Sequence, residues 1–391
     1  MKQKIVLLLA CVFLLLNGYS QTSPPGVVVK HIQSKDSVYI GSPSLCILPN
    51  GNYIASHDLF GPKANTGKSG TTYIYTSKDK GITWTQTSII VGQYWSGLFY
   101  HNENLYILGT DKGHGNIVIR KSSDNGISWT TPVNSETGLI FNGQYHTAPT
   151  PVVVHNGRLW RAFENANGIV SNLPNRYGAL MITASEDADL LNANNWKKTN
   201  CLVYDATYMD GNFRGWLEGN ALITKENKLV DMLRVHIWPG IQERAAIMKV
   251  ACSEDKMTFQ SNAGFINFPG GAKKFTVRFD YNSQRYWSLV NYIPSGYENE
   301  YPANVRNYLV LASSENLLDW QMHKIILSHI DSKKHGFQYV DWQIEGEDMI
   351  FLSRTAYDDN SGGADSFHNA NFLTFHRISN FRSLTGSIVA D

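Results

Sequence analysis

The sequence predicts an all-β protein, and three observations support this prediction. Tyr, Trp and Phe make up 12% of the chain and Gly accounts for 32 of its 391 residues, a composition typical of short antiparallel strands joined by turns. Asn-Gly and Asp-Gly pairs recur along the chain and indicate tight hairpins. Extended helical periodicity is missing, whereas one short pattern is repeated.

The repeated pattern is S-x-D-x-G-x-[ST]-W, the Asp-box, which occupies residues 77–84 and again residues 122–129. In such a turn the Asp carboxylate accepts backbone N–H bonds, Gly adopts a positive φ, and Trp packs under the next strand. We therefore expect the Asp-boxes to be structural rather than catalytic. Weaker copies lie at residues 185–196, 253–259 and 313–320.

A repeat of about 45 to 60 residues with four short strands per unit predicts a β-propeller, since each blade buries its faces only against its neighbours. We expect five to seven blades of four antiparallel strands, with seven favoured. No linker-like segment interrupts the chain after residue 30, so residues 21–391 are predicted to form a single catalytic domain.

The first 20 residues predict a signal peptide. Lys2 and Lys4 precede an apolar run over residues 5–16, and residues 18–20 resemble a cleavage site. The run is shorter than the roughly 20 residues that span a bilayer, so we expect export to the periplasm or the medium, with no membrane attachment after cleavage. Beyond Cys11 an odd number of widely spaced cysteines remains, which implies no disulfide framework.

Charge and metal-binding patterns narrow the ligand classes. A net charge of +1 without Lys/Arg runs provides no electrostatic footprint for nucleic acid or an anionic membrane, so local groups must bind any anionic ligand. No zinc motif is present, whereas loop carbonyls and carboxylates leave calcium as an open alternative. We expect a monomer that requires no cofactor.

Candidate functional residues lie in turn-like segments that a blade core does not need, because propellers gather function in the loops of one face. His57 ends a predicted strand, where it either meets a ligand or bonds to Asp58 and backbone at a blade edge. His146 precedes Pro149 and Pro151, which stiffen its loop and favour a functional role.

Guanidinium, carboxylate and amide groups cluster in residues 212–220. Arg214, Glu218 and Asn220 suit sugar hydroxyls and uronate carboxylates, although an Arg–Glu pair that closes a blade explains them equally well. Arg278 lies on an alternating strand and faces either the channel or solvent. The further candidates for substrate binding are Arg161, Arg234, Arg354, Tyr357 and His368.

The Asp-boxes resemble those of the sialidase superfamily, but the Arg-Ile-Pro motif of sialidases is absent. Other segments look closer to a propeller group that includes rhamnose–glucuronate lyases and hydrolases, propeller ulvan lyases and an ulvan-oligosaccharide dehydratase of marine Bacteroidetes. The resemblance covers most of the chain after residue 20. It is carried by SHDLFG (56–61), YHTAP (145–149), WRAFE (160–164), WLEGN (216–220), KKFTVR (273–278), SRTAYDD (353–359) and HNAN (368–371).

This second resemblance implies β-elimination at a glucuronate or iduronate of an acidic, ulvan-type oligosaccharide, with dehydration of the non-reducing end ahead of chain cleavage. An arginine must first neutralise the uronate carboxylate, and Arg214, Arg234 and Arg278 are the candidates. A base then removes the C5 proton and an acid protonates the group that leaves C4. These two roles fall to His57 and His146, in an order that the resemblance leaves open.

Three alternatives remain beside β-elimination. An α-L-rhamnosidase acting on rhamnosyl-glucuronate is the nearest, since a single histidine can serve it. A sialidase-type hydrolase follows, weakened by the missing Arg-Ile-Pro motif. A non-catalytic propeller lectin keeps the aromatic and arginine contacts but tolerates loss of His57 and His146.

Overall fold

The computed structural model describes residues 23–168, 174–240, 242–297 and 299–386, and its framework is built of β-strands. In chain order the strands are β1 (Val27–His31), β2 (Tyr39–Ile47), β3 (Tyr53–Phe60), β4 (Thr71–Ser77), β5 (Thr85–Val91), β6 (Tyr94–His101), β7 (Asn104–Thr110), β8 (Gly115–Ser122), β9 (Leu139–His146), β10 (Val153–His155), β11 (Arg158–Asn165), β12 (Gly178–Ser185), β13 (Trp196–Lys198), β14 (Phe213–Ile223), β15 (Leu229–Ile237), β16 (Arg244–Ala251), β17 (Lys256–Thr258), β18 (Phe265–Asn267), β19 (Val277–Asp280), β20 (Arg285–Asn291), β21 (Tyr308–Ser314), β22 (Trp320–Ser328), β23 (Gly336–Glu345), β24 (Asp348–Ala356) and β25 (Phe372–Ile378). Helical structure in these residues comprises α1 (Ser261–Gly264) and five 3₁₀ turns at Ser34–Asp36, Ala193–Asn195, Tyr208–Gly211, Pro302–Asn304 and Phe381–Ser383.

The strands form six consecutive antiparallel units, and each unit is one blade of a propeller. Four sheets hold one blade each: β2–β5, β14–β18, β19–β22, and β23–β25 with β1. A fifth sheet has eight strands and holds two blades, β6–β9 and β10–β13, which join where β9 pairs with β11. The all-β propeller prediction is confirmed, but the favoured count of seven blades is wrong, because long loops stretch each unit to roughly 60 residues.

The hydrophobic core lies between the blades. The six main clusters of buried apolar side chains each combine residues of two neighbouring blades, and the series runs around the ring without a gap. Four fully buried tryptophans contribute to these layers: Trp160, Trp216, Trp287 and Trp342. Since no blade covers its own faces, burial of this apolar surface stabilises the blades only as a ring.

The ring closes by pairing the two ends of the described chain. Strand β1 pairs with β25 in antiparallel register, with Val27 opposite Phe375, so the last blade takes its outermost strand from the N-terminal side. This pairing ties the N-terminal segment of the described chain to the last blade.

The two Asp-boxes adopt the predicted turn. Asp79 accepts bonds from the backbone N–H and hydroxyl of residue 83 at 2.9 and 2.5 Å, Gly81 has a φ of 90°, and the Trp84 indole packs 5.4 Å from another ring of the core. Asp124 and Trp129 repeat these contacts. The Asp-boxes are therefore structural turns between strands.

The two ends of the ring carry different features. The Asp-box turns follow β4 and β8, so they lie at the end where the third strand of a blade finishes. Antiparallel pairing places the end of each second strand and the start of each inner strand at the opposite end. We call this opposite end the mouth, and it includes the end of β3 and the start of β6.

The predicted signal peptide lies outside the described residues. Within the part that the structure describes, no helix is long and apolar enough to span a membrane. Cys46, Cys201 and Cys252 are free thiols, and the first is buried.

Candidate functional site

Four inner strands are distorted near their first residues, which lie at the mouth. The pairing register shifts within β2, β6, β14 and β23, and three of these bulges hold a non-glycine residue in the left-handed region: Trp95 at φ 49°, Glu218 at 59° and Tyr339 at 55°. Such residues are strained, and bulges redirect side chains beside active sites. The repeated distortion marks the mouth as the candidate site.

Glu218 and Arg234 form an ion pair at the mouth, beside the Tyr339 hydroxyl. Arg234 Nη1 donates to Glu218 Oε2 at 2.8 Å, and the Tyr339 hydroxyl lies within hydrogen-bonding reach of both side chains. Burial by itself raises the pKa of Glu218, but the charges of Arg234 and His146 and the hydrogen bonds from Arg234 and Tyr339 together outweigh burial and lower the pKa to about 2. Glu218 is thus an ionised acceptor for the Tyr339 proton at neutral pH.

Two more guanidinium groups flank the half-buried ring of Tyr339. The guanidinium carbons of Arg354 and Arg306 lie 4.9 and 5.6 Å from its centroid. Arg306 also bonds to Gln338, and Arg354 bonds to the carbonyl of His368. The Nε of Arg354 is buried and has no partner among the described residues. Three guanidinium groups around one phenol form a site suited to a carboxylate.

His146 and Glu164 form a second polar pair at the mouth. They are cross-strand partners of β9 and β11, which brings His146 Nδ1 to 2.6 Å from Glu164 Oε2. The imidazole stacks on Tyr177 at 4.6 Å and meets the edge of Trp95 at 4.4 Å. The carboxylate holds the Nδ1 proton, so Nε2 is the ring atom left for proton exchange.

Asp58 fixes the bulges of two blades. Its Oδ1 accepts from the backbone N–H of Ser42 at 2.6 Å, and its Oδ2 accepts from that of Trp95 at 2.7 Å. A Cβ at Gly41 would lie 1.7 Å from Oδ1, so this close approach requires glycine. Burial raises the pKa of Asp58 to about 6.

Asp58→Asn is expected to lower the free energy of unfolding by about 1–3 kcal/mol, because its amide NH₂ would face a backbone N–H that needs an acceptor. The folded state holds the Asp58 proton more tightly than the unfolded chain. Protonation of Asp58 therefore contributes fully to the free energy of unfolding below pH 3.8, which is its pKa in the unfolded chain. This contribution is lost as the pH rises through about 6, its pKa in the folded protein. Urea unfolding of parent and variant across this range checks both effects, and a pH-independent difference would contradict the assignment.

The structure corrects the catalytic assignment of His57. Its side chain is fully buried inside the first blade, where Nδ1 bonds to the carbonyl of Asp58 at 2.9 Å and the rings of Tyr73 and Tyr75 flank it. Burial lowers its pKa to about 4. His57 is the blade-edge histidine of the alternative interpretation, because no surface is left for substrate.

Arg214 and Tyr357 also lie outside the cluster. Arg214 donates to the carbonyls of Gly211 and Phe213, and in the described residues no bond joins it to Glu218. Tyr357 is 8% exposed and packs 4.9 Å from His335 in the last blade. The predicted roles of both residues are therefore corrected: Arg214 bonds to nearby backbone carbonyls, and Tyr357 is buried.

Asn220 and Arg278 join neighbouring blades, and Arg161 is buried within the third blade. Arg161 is fully buried and donates to the carbonyl of residue 148 at 2.6 Å. Asn220 Oδ1 accepts from the backbone N–H of Val277 at 3.1 Å, which ties β14 to β19. Arg278 donates to Asp341 at 3.1 Å. The predicted substrate contacts of these three are corrected, since their polar groups serve the protein interior.

Of the site residues predicted from the sequence, the structure brings four together at the mouth: Glu218, Arg234, Arg354 and His146. His368 lies exposed at the rim, where its ring meets Phe60 edge-on at 5.1 Å. Sequence reasoning missed several residues of the mouth, of which only Glu164 lies in a segment quoted in the sequence analysis. The missed residues are Trp95, His114, Glu164, Tyr177, Arg306 and Tyr339.

The described part of the chain contains no group of three or more His, Cys, Asp or Glu side chains placed to bind a metal ion. The carboxylates at the mouth are engaged instead by Arg234, His146 and backbone N–H groups.

No protein-family model matches the chain, and no curated protein sequence matches it either. Solved structures do match. A Penicillium chrysogenum α-L-arabinanase complexed with arabinobiose aligns over 91% of this chain and 98% of its own, with a TM-score of 0.56 and 13% identity. A Hadza microbial sialidase aligns over 92% and 69%, with a TM-score of 0.59 and 13% identity.

A leech intramolecular trans-sialidase, complexed with 2,7-anhydro-Neu5Ac, aligns over 93% of this chain and 71% of its own, with a TM-score of 0.57 and 10% identity. At such identities the similarity concerns architecture, because unrelated functions share propeller folds. The chain therefore shares the β-propeller fold of these enzymes.

Proposed function

We propose that the protein is a glycosidase for acidic sugars and that it acts through a tyrosine nucleophile. The observation that carries this proposal is the convergence of Arg234, Arg306 and Arg354 on Tyr339, whose hydroxyl is paired with Glu218. Three guanidinium groups favour a sugar with a carboxylate over a neutral sugar such as the arabinobiose bound by the arabinanase.

The tyrosine suits an anionic substrate. A carboxylate nucleophile would repel the carboxylate of the sugar, whereas a neutral phenol meets no such repulsion, and sialidases are known to use a tyrosine. Glu218 takes the Tyr339 proton as the phenol oxygen bonds to the anomeric carbon. Arg234 keeps Glu218 ionised until that transfer.

His146 is the proposed acid for the leaving group. As the bond from the anomeric carbon to the leaving oxygen breaks, the protonated imidazole donates from Nε2, and the ionised Glu164 stabilises its charge through Nδ1. Water then attacks the anomeric carbon with His146 as base, the bond from that carbon to the Tyr339 oxygen breaks, and Glu218 returns its proton to this oxygen. The sugar is released with its anomeric configuration retained.

Uronate β-elimination is the second candidate, favoured by the His146–Glu164 pair facing an arginine-rich pocket. Here the guanidinium groups neutralise the uronate carboxylate, and His146 exchanges the C5 proton or serves the C4 leaving group. If the reaction is a β-elimination, we favour dehydration of a terminal uronate in ulvan-type oligosaccharides over cleavage of the chain.

Product analysis separates the two reactions. The parent protein is mixed with 3′-sialyllactose, a 4-nitrophenyl glucuronide and ulvan oligosaccharides, and the products are followed by mass spectrometry, anomeric NMR and the ultraviolet absorbance of 4,5-unsaturated uronates. Release of an acidic sugar with retained configuration and no absorbance rise is expected. A rise with loss of water indicates a dehydratase, a rise with chain shortening indicates a lyase, and binding without turnover would overturn the enzymatic proposal.

A further inference from the structure

A line of three residues runs from the arginine cluster to the protein surface along the fourth and fifth blades. His236 lies two residues beyond Arg234 on the same side of β15. Its Nδ1 is 3.0 Å from the Tyr301 hydroxyl, and Trp238 meets the Tyr301 ring edge-on at 5.6 Å. The proposed nucleophile and carboxylate site therefore continue outward into a polar and aromatic wall.

His236 carries an unused polar atom in this wall. Its Nε2 is buried and has no hydrogen-bond partner among the described residues, which costs free energy unless a ligand or water bonds to it. Burial, reinforced by the nearby Arg234 charge, lowers the pKa of His236 to about 3. The imidazole is neutral at working pH, so it bonds to a hydroxyl rather than to a second carboxylate.

Trp238 is the outermost member of the line. Its residue is 54% exposed, although its backbone N–H is fixed by the carbonyl of Asn212 at 2.8 Å. The exposed indole, which packs against the Tyr301 ring, offers a flat apolar face. Sugar rings present C–H faces and hydroxyl edges, and an aromatic face beside a polar atom complements both.

We propose that Trp238, Tyr301 and His236 form a subsite for a neutral sugar residue joined to the acidic sugar. This inference rests on the proposed function. The acidic sugar binds at the inner end of the site, beside Arg234 and Arg306, because each of these residues is only 5% exposed. The joined sugar stacks on Trp238, where the pocket opens to solvent, and one of its hydroxyls bonds to His236 Nε2. The site therefore selects oligosaccharides over free acidic monosaccharides.

Calorimetric binding tests this subsite in a Tyr339→Phe background, which holds ligand without turnover. The probes are 3′-sialyllactose against N-acetylneuraminic acid, and a rhamnose-containing ulvan tetrasaccharide against glucuronic acid. We expect the oligosaccharide of the preferred pair to bind about 10-fold more tightly than its monosaccharide. Trp238→Ala should remove that preference and leave the monosaccharide affinity within about 2-fold.

Two further variants keep the test decisive. Tyr281→Ala removes an exposed aromatic from a turn at the opposite end of the ring and should preserve the preference. His236→Phe keeps a buried ring but loses the polar atom, so it should weaken oligosaccharide binding alone.

The outcomes distinguish the subsite from the proposed function. If an acidic monosaccharide binds in an Arg306-dependent manner and Trp238→Ala leaves the oligosaccharide preference intact, the subsite is overturned and the proposed function stands. If no acidic probe binds the parent, both proposals fail.

Discussion

Tyr339→Phe is expected to abolish turnover of acidic glycosides, with kcat reduced by about 10³-fold or more, while the dissociation constant of the acidic sugar stays within a few-fold. The substitution removes one oxygen that the reaction requires and keeps the ring against which Arg306 and Arg354 pack. Single-turnover kinetics measures the chemical step, and calorimetry measures binding separately.

Tyr281→Phe is the matched control. Tyr281 is 74% exposed and follows β19 at the end opposite the mouth, so loss of its hydroxyl should leave kcat unchanged. If Tyr339→Phe keeps more than about a tenth of the parent kcat, Tyr339 is not the nucleophile. His146→Gln should then be the inactivating substitution, as β-elimination requires.

Arg306→Lys is expected to raise the dissociation constant of acidic sugars by about 10- to 100-fold, which corresponds to about 1.4–2.8 kcal/mol. Arg306 is buried, bonds to Gln338 and flanks the Tyr339 ring at the same time. A lysine ammonium lacks the planar fork that can hold these groups and a carboxylate together. Calorimetry with acidic and neutral sugars, combined with urea unfolding, measures this loss and checks that the fold persists.

Arg214→Lys makes the same chemical change outside the cluster. Arg214 bonds only to nearby carbonyls among the described residues, so its replacement should leave the affinity for acidic sugars unchanged. An equal loss of affinity for acidic and neutral sugars in Arg306→Lys would show that Arg306 supports the pocket shape instead of binding the carboxylate.

The fold was predictable because its signals are local. An Asp-box specifies a turn through contacts within eight consecutive residues, such as the bonds from Asp79 to residue 83, and its recurrence reveals the blade. The number of blades was less predictable. Loop insertions change the spacing of the repeats along the chain, whereas the number of blades is set by the packing that closes the ring.

The site was only partly predictable, because its residues come together through bulges. Glu218, Arg234 and Arg354 stand out in the sequence as charged groups among apolar residues, and His146 stands out because Pro149 and Pro151 follow it. Tyr339 is one aromatic among 20 tyrosines, and no sequence pattern reports that its backbone turns left-handed and directs the phenol toward Glu218.

The missing Arg-Ile-Pro motif illustrates the same limit. In the sequence its absence weakened the sialidase alternative. Three guanidinium groups nevertheless meet at the mouth, because β24 of the last blade brings Arg354 to the ring of Tyr339. The charge of the site depends on side chains that come from several blades, whereas a sequence motif describes the residues of a single strand.

Strand alternation and turn chemistry act over a few neighbouring residues, so an all-β propeller with Asp-box turns, and a group of arginine, carboxylate and histidine candidates, could be recognised from the residues alone. Three features follow only from the folded chain: the six blades of the described residues, the burial of His57 and Arg161, and the presence of Tyr339 and Arg306 at the site. Ring closure and inter-blade packing bring together residues that are far apart in the chain. Burial and charge, which depend on those distant neighbours, then determine what each side chain can do.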